Sequence, residues 1–214
     1  MEYFPVFIDL QNKNVLVIGE YKVLEFKINK MIEAGAKIKY LSDFIPEKIE
    51  KYINSGKVHL IQDQFDEKYL EDIWLVVCGS HDLELKKKIR KASTDRKLFC
   101  NFVDEAPISS FISPSVISKG DITIAISTKG KSPALNKYLK KEIMKTIGDE
   151  YSKFLDILGK MRKKVIDKIP GQKRRSELFD KIVQDKTVLN LIKSKNFLKA
   201  EELIEEMIDL EINR

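Results

Sequence analysis

Two short runs constrain this chain more than anything else in it: Asn14–Gly19 (NVLVIG) and Ile73–Cys78 (IWLVVC). Each is apolar almost throughout rather than alternating, and each is rich in β-branched residues, so each reads as a strand buried on both faces. Such a strand needs helices above and below it, which restricts the fold to a parallel sheet in an α/β domain. The intervening segments supply those helices. Val23, Leu24, Phe26, Ile28, Met31 and Ile32 have helical spacing, and Gly35 closes that helix. Ala36–Leu41 and Val58–Ile61 read as further strands, Pro46 opens a helix to about Asn54, and Asp66–Leu70 reads as a helical turn. A Lys-rich helix from Asp82 to about Ala92 leads into a strand at Leu98–Cys100. The expectation is a doubly wound parallel α/β domain over residues 1–112.

The pattern then changes. Ile108–Ile112 and Asp121–Ser127 read as strands with no helix between them, joined around Lys119-Gly120. Ser132 and Pro133 give an N-cap and first position for a helix reaching about Thr146. From Asp149 the chain is helical, with breaks at Pro170-Gly171 and short links near Gln184-Asp185 and Lys195-Asn196. A small strand-helix unit at 113–147 and an α-helical C-terminal domain at 148–214 are expected.

Composition excludes several classes. Apolar residues make up 43% of the 214, enough for a sizeable core, and no uncharged run approaches the roughly 20 residues of a membrane span. The N-terminus lacks a signal-peptide pattern, so a soluble, cytoplasmic protein with no membrane partner is expected. Cys78 and Cys100 lie far apart in apolar runs, and His59 and His81 are the sole histidines, which excludes a disulfide framework, a zinc finger and a His-rich metal site built by the protein, so no metal ligands are expected. The formal charge of +6 is uneven: 151–175 is strongly basic and 201–214 strongly acidic. That asymmetry favours a polyanionic partner near the basic segment, pairing between the two segments, or simply solvated helix faces.

Open parallel sheets bind ligands beyond the carboxyl ends of their strands. The candidate cofactor-binding residues are therefore Gly19, Glu20, Tyr21, Lys22 and Val23 after the first strand, Ser42 and Asp43 after the second, and Gly79 and Ser80 after the fourth. A dinucleotide fingerprint wants glycine at its first two marks and a small residue at the third. Here the marks read Gly19, Tyr21 and Leu24, so a plain strand-to-helix turn competes with a phosphate site. His81 is a candidate proton carrier, although a lone exposed histidine is more often inert. Asp104 follows a buried strand, where a carboxylate is costly unless used or paired; a turn Asp bonding its own backbone is the other reading. The loop Ser127-Thr128-Lys129-Gly130-Lys131-Ser132 gathers hydroxyls, lysines and a helix start, which favour an anion or form a capped, solvated turn. The Walker spacing is absent.

Several stretches taken together resemble a known family: Tyr3-Phe4-Pro5-Val6-Phe7-Ile8-Asp9-Leu10, Val15-Leu16-Val17-Ile18-Gly19, Glu33-Ala34-Gly35-Ala36, Phe65-Asp66-Glu67, Phe99-Cys100-Asn101-Phe102-Val103-Asp104, Phe111-Ile112-Ser113-Pro114-Ser115, Ile124 to Ala134, and Gly171-Gln172-Lys173-Arg174-Arg175. In this order they resemble the N-terminal module of siroheme synthases, which also occurs as free-standing precorrin-2 dehydrogenases and sirohydrochlorin ferrochelatases. No counterpart of the downstream methyltransferase module is expected. The resemblance implies a Rossmann-like domain, a dimerisation unit and a helical domain, assembled as a homodimer. It implies oxidation of precorrin-2 to sirohydrochlorin with NAD, and in many members insertion of Fe2+ as a substrate. Asp104 falls where the family has its catalytic aspartate, and Ser127 or Thr128 where a hydroxyl lies near the active site. For a tetrapyrrole bearing eight carboxylates, Lys129, Lys131, Ser132, Arg174 and Arg175 become candidate substrate contacts.

One departure stands out. Where family members have three glycines, this chain has Gly19-Glu20-Tyr21, followed by Leu24 in place of a small residue. Positive φ at a non-Gly residue would cost about 1–2 kcal/mol, Glu20 would repel a pyrophosphate, and a bulky Tyr21 would block the approach of the cofactor. Weakened NAD binding is expected. The alternative is a chelatase or tetrapyrrole-binding relative that no longer uses NAD. A third reading, a non-catalytic binder of nucleic acid or of a partner enzyme, lacks interleaved aromatics and any nucleic-acid motif, so no nucleic-acid partner is expected.

Overall fold

The computed structural model describes residues 2–44, 46–103 and 105–213. They divide into two compact units, 1–113 and 114–214. In the first, β1 (Asn14–Gly19), β2 (Lys37–Leu41), β3 (Val58–Ile61), β4 (Leu75–Gly79) and β5 (Phe99–Phe102) form one sheet in the order β3-β2-β1-β4-β5. Every neighbouring pair is parallel. The helices are α1 (Tyr21–Glu33), α2 (Glu47–Asn54) and α3 (Leu83–Asp95), with a 3-10 turn at Glu67–Leu70 on the way from β3 to β4.

The apolar runs explain the layering. Along β1, Val15 and Val17 enter a core shared with α1 and α2, while Leu16 and Ile18 enter a second core shared with α3. In β4, Leu75 and Val77 join the first core, and Val76 and Cys78 the second. A strand with both faces covered has no solvated side to mark with polar residues, and so carries no alternation. Burial also pushes the Cys78 thiol above its ordinary pKa, which makes it an inert core residue.

The strand expected at Ile108–Ile112 is absent. A 3-10 turn occupies Ala106–Ile108, and the segment beyond it is tied to β5 by serine side chains together with a backbone bond. The Cys100 N–H donates to the Ser110 hydroxyl (2.7 Å) and the Phe102 N–H to the Ser109 hydroxyl (2.8 Å). The Ser110 N–H also donates to the Cys100 carbonyl (2.8 Å), so the serine hydroxyls supplement backbone pairing along that edge, and Ser109 is buried there. The next strand begins later, at β6 (Ser115–Lys119), antiparallel to β7 (Ile122–Ile126).

In the second unit this hairpin is followed by α4 (Pro133–Thr146), α5 (Glu150–Lys168), α6 (Gln172–Gln184), α7 (Lys186–Lys193) and α8 (Phe197–Ile212). The apolar faces of α5, α6, α7 and α8 share one core, with Val165, Ile182, Val188, Ile192 and Ile204 fully enclosed. The opposite charges of 151–175 and 201–214 meet across it. Lys160 pairs with Glu201 (3.2 Å), Lys164 with Asp209 (2.7 Å) and Arg174 with Glu211 (2.7 Å). Among the described residues no helix is long and apolar enough to cross a membrane.

Lys119, at the end of β6, pairs with Asp149 at the start of α5 (2.6 Å) and holds its carboxyl below the ordinary carboxylate range. A lowered folded pKa means that the pair's contribution is present above the unfolded carboxylate pKa, at neutral pH included, and is lost as pH falls through the lowered folded value. In Lys119→Met, Asp149 should titrate nearer its ordinary value. The acid limb of a pH–stability curve should shift upward correspondingly, read by carboxyl NMR and melting from pH 2 to 7.

Candidate functional site

The chain order reverses between β1 and β4: from β1 the connections run outward through β2 to β3, then return to β4 on the other side. A crevice is expected at such a switch point, beyond the carboxyl ends of the strands. A cavity of about 650 Å³ lies there. It is lined by Gly19 and Glu20 after β1, Ser42, Asp43 and Phe44 after β2, Asp63, Gln64 and Phe65 after β3, and Ser80, His81 and Asp82 after β4. Leu85 and Lys88 of α3 complete the wall.

The tight spot is the end of β1. Gly19 pairs in register with Gly79 and adopts φ +116°, a region that favours glycine. A Cβ there would sit 2.7 Å from the Ser80 backbone nitrogen and 2.8 Å from the Gly79 carbonyl carbon. Glu20 follows with φ −71° and ψ 129°, ordinary extended backbone, so the missing second glycine costs no strain. No side chain caps α1; the Val23 N–H donates to the Glu20 carbonyl (3.1 Å), and the N–H groups ahead of it, of Tyr21 and Lys22, face an N-terminus that can receive an anion. By contrast, Asp82 caps α3, accepting from the N–H groups of Glu84 (2.9 Å) and Leu85 (3.1 Å).

Tyr21 does not block this turn, contrary to expectation. Its side chain is turned into the core with Leu24, Ile28, Tyr40 and Ile49 and is 8% exposed. Leu24, too large for its place in the usual fingerprint, also has an explanation. A Cβ on Gly79 would come within 2.8 Å of the Leu24 side chain, so the small residue needed for close helix–strand packing sits on the strand rather than on the helix. Lys22 and Val23, also expected near the cofactor, lie on the first turn of α1 and do not line the cavity.

Five carboxylates rim the cavity, but three are already engaged. Asp82 caps α3, Glu84 pairs with Lys87, and Asp63 accepts from the Tyr69 hydroxyl and the Gln64 N–H, the Tyr69 bond holding its carboxyl below the ordinary range. That leaves Glu20 beside the turn and Asp43 at the end of β2, both exposed. Two lysines that the sequence did not single out, outside the cavity lining, hold the end of β5 and the chain after it. The Lys27 ammonium donates to the buried Asn101 carbonyl (3.0 Å), and the Asn101 amide donates to Phe111 O (3.0 Å), fixing the end of β5. Lys86, 6% exposed, pairs with Glu105 and ties α3 to the chain after β5. Asp104, expected to be catalytic, lies outside the described residues.

The other candidates belong to the second unit. In the 127–132 loop, Ser127 accepts from the Lys129 N–H (3.1 Å), Thr128 donates to Ser132 O (3.2 Å), and Ser132 caps α4 through the Leu135 N–H (3.1 Å). Lys129 and Gly130 both have positive φ, so the hydroxyls hold a tight turn that presents Lys129 and Lys131. Arg174 forks onto the Glu211 carboxylate and backbone, and Arg175 donates to Ile169 O, so both are committed to contacts within the helical core.

Residues 6–115 match the family model NAD_binding_7, described as "Putative NAD(P)-binding". The chain belongs to that family. Beyond it, the chain is similar to siroheme synthase 2 of Yersinia pseudotuberculosis, 25% identical over 207 residues, which cover 97% of this chain and 44% of the relative. It is likewise similar to the siroheme synthases of Actinobacillus pleuropneumoniae (27% identical, 96% and 42% covered) and Salmonella typhi (28%, 89% and 42%). The chain thus spans less than half the length of these curated relatives. In structure it is similar to SirC, precorrin-2 dehydrogenase, with TM-score 0.77 and 24% identity, covering 94% of this chain and 99% of that one, which shows a shared fold.

The residues fit the cofactor that defines the NAD_binding_7 family. Gly19 permits close backbone approach, uncapped N–H groups of α1 can receive a diphosphate, and Ser42 and Asp43 offer acceptors for a ribose diol. Glu20 is exposed, so water screens its charge. The reading in which NAD use is lost is not favoured: the side chain that would have blocked the site is buried elsewhere.

The exchange of size between Leu24 and Gly79 can be measured. Gly79→Ala should destabilise the first unit by about 1–3 kcal/mol through overpacking. In the Leu24→Ala background the same change should cost less, a coupling of about 1 kcal/mol in a double-mutant melting cycle; additive effects would mean that the contact is slack.

Proposed function

We propose that this chain is an NAD-dependent precorrin-2 dehydrogenase of siroheme biosynthesis, producing sirohydrochlorin. The observation that carries this reading is the open Gly19 turn and uncapped α1 at the switch-point cavity, in a chain that follows the fold of SirC over almost its whole length. The oxidation removes two hydrogens from the substrate, one as a hydride and one as a proton. NAD supplies the hydride acceptor. The chain must bind both molecules and take the proton, and a carboxylate following β5 suits that task; Asp104 is our candidate. The carboxylate rim of the cavity suits an uncharged adenosine end and disfavours a 2′-phosphate, which supports NAD over NADP, and it would repel an octa-acid substrate. The Lys129–Lys131 loop has the charge for substrate carboxylates.

The similarity to siroheme synthases supports a second step at the same site, Fe2+ insertion into sirohydrochlorin. There the tetrapyrrole nitrogens would ligate the metal, and Asp104 would accept the pyrrole protons.

We further propose a homodimer joined through 113–147, with 148–214 as a separate helical part. The hairpin β6–β7 has two strands only, which is marginal by itself. α4 buries none of its residues, leaving Leu135 (49%), Tyr138 (58%) and Met144 (45%) exposed. A second copy of this chain would cover them.

With precorrin-2 and NAD+, the protein should form one NADH per sirohydrochlorin. Asp104→Ala should slow this at least tenfold while NAD+ binding is unchanged, and a rate equal to the uncatalysed control for the unsubstituted protein would refute the reading. Light scattering should give twice the chain mass, and Tyr138→Glu with Leu135→Glu should give the monomer.

A further inference from the structure

Tyr40 of β2 is wholly enclosed in the core beneath α1 and α2, yet it carries a hydroxyl that must find a partner there. That partner is the Gly19 carbonyl, to which it donates at 2.9 Å. The peptide joining Gly19 to Glu20 is trans, as are all peptides among the described residues. In a planar trans peptide the C=O and N–H point in opposite directions. With the Gly19 oxygen held on the core side by Tyr40, the Glu20 N–H is directed away from the core, at the position where Gly19 and Glu20 line the cavity.

We propose that Tyr40 is a positioning residue for the cofactor: it locks the Gly19–Glu20 peptide so that the Glu20 N–H serves as a donor to the diphosphate. Glycines at such a turn let the peptide rotate to meet a ligand, whereas this turn has a carboxylate-bearing residue in their place. A fixed donor offsets part of the repulsion that the carboxylate introduces. Burial raises the phenol pKa, so the group remains a donor throughout the neutral range. The proposal rests on the reading that the cavity takes a dinucleotide, and the experiment separates the two.

Binding of NAD+ and of ADP-ribose would be measured by calorimetry for the unsubstituted protein, Tyr40→Phe and Tyr52→Phe. Tyr52 packs against the same core and serves as the packing control. Tyr40→Phe should weaken both ligands roughly tenfold, as expected when a charge-assisted donor, the Glu20 N–H, is no longer held in place, and Tyr52→Phe less than twofold. In 15N spectra of the unsubstituted protein the Glu20 amide should move downfield on addition of ADP-ribose. Equal affinity of Tyr40→Phe overturns the proposal while leaving the dinucleotide reading intact. If Tyr40→Phe fails to fold, the spectra decide: a Glu20 amide that does not respond in a protein that binds ADP-ribose overturns it. An unsubstituted protein that binds neither ligand overturns the dinucleotide reading, and the proposal with it.

Discussion

The arrangement of the cavity follows from how closely β1 approaches β4 at their carboxyl ends. Gly19 and Gly79 face each other in register, and neither has room for a Cβ, one because of backbone and the other because of Leu24. This closeness sets where α1 begins and how tightly it lies on the sheet. Tyr21, the first residue of that helix, lies in the core with Tyr40 and Leu24. Had the strands been further apart, the first turn of α1 would have been free to rotate a large side chain into the ligand space. Close packing at this point therefore keeps the site open without the usual glycines.

The second unit shows charge used differently. Its basic and acidic runs are the two sides of one helical assembly, joined by ion pairs that lie over a fully apolar interior. Most of these pairs are exposed enough to add little stability each. Their greater effect is on register: Lys160, Lys164 and Arg174 are met by Glu201, Asp209 and Glu211, so a shift of one helix along another would oppose charges wrongly. Arg174 is the exception in depth, since its partner Glu211 is only 15% exposed and its guanidinium also reaches the backbone.

Much of the sheet was legible in the chain because runs such as NVLVIG admit one arrangement only, and helix starts such as Ser132-Pro133 carry their own chemistry. The segment after β5 was misread because period alone cannot distinguish a strand from an extended stretch whose serines bond an edge. The site was legible as a place and not as a composition. Strand ends marked Gly19, Ser42, Asp43 and Ser80, yet Asp63 and Gln64 lie beyond a strand end from which no candidate was drawn, Phe65 belonged to a stretch with no assigned role, and Lys88 faces the cavity only through the turn of α3. Lys27 and Lys86 were hidden in helices whose many lysines look alike in sequence. Burial and a specific acceptor set them apart, and both are properties of the folded chain.

The fingerprint itself illustrates why local rules fail at such sites. A motif states which residue types usually meet three requirements: a tight turn, close approach of backbone to ligand, and close packing of helix on strand. Gly19 meets the first. The second is met by an extended Glu20 and an inward Tyr21, and the third by Gly79, some sixty residues away in sequence and adjacent in space. The physical requirements are thus conserved in three dimensions while their usual spelling is lost. A residue of the wrong size at a motif position is evidence against the function only when nothing across the sheet has changed to receive it, and here the glycine on β4 receives it.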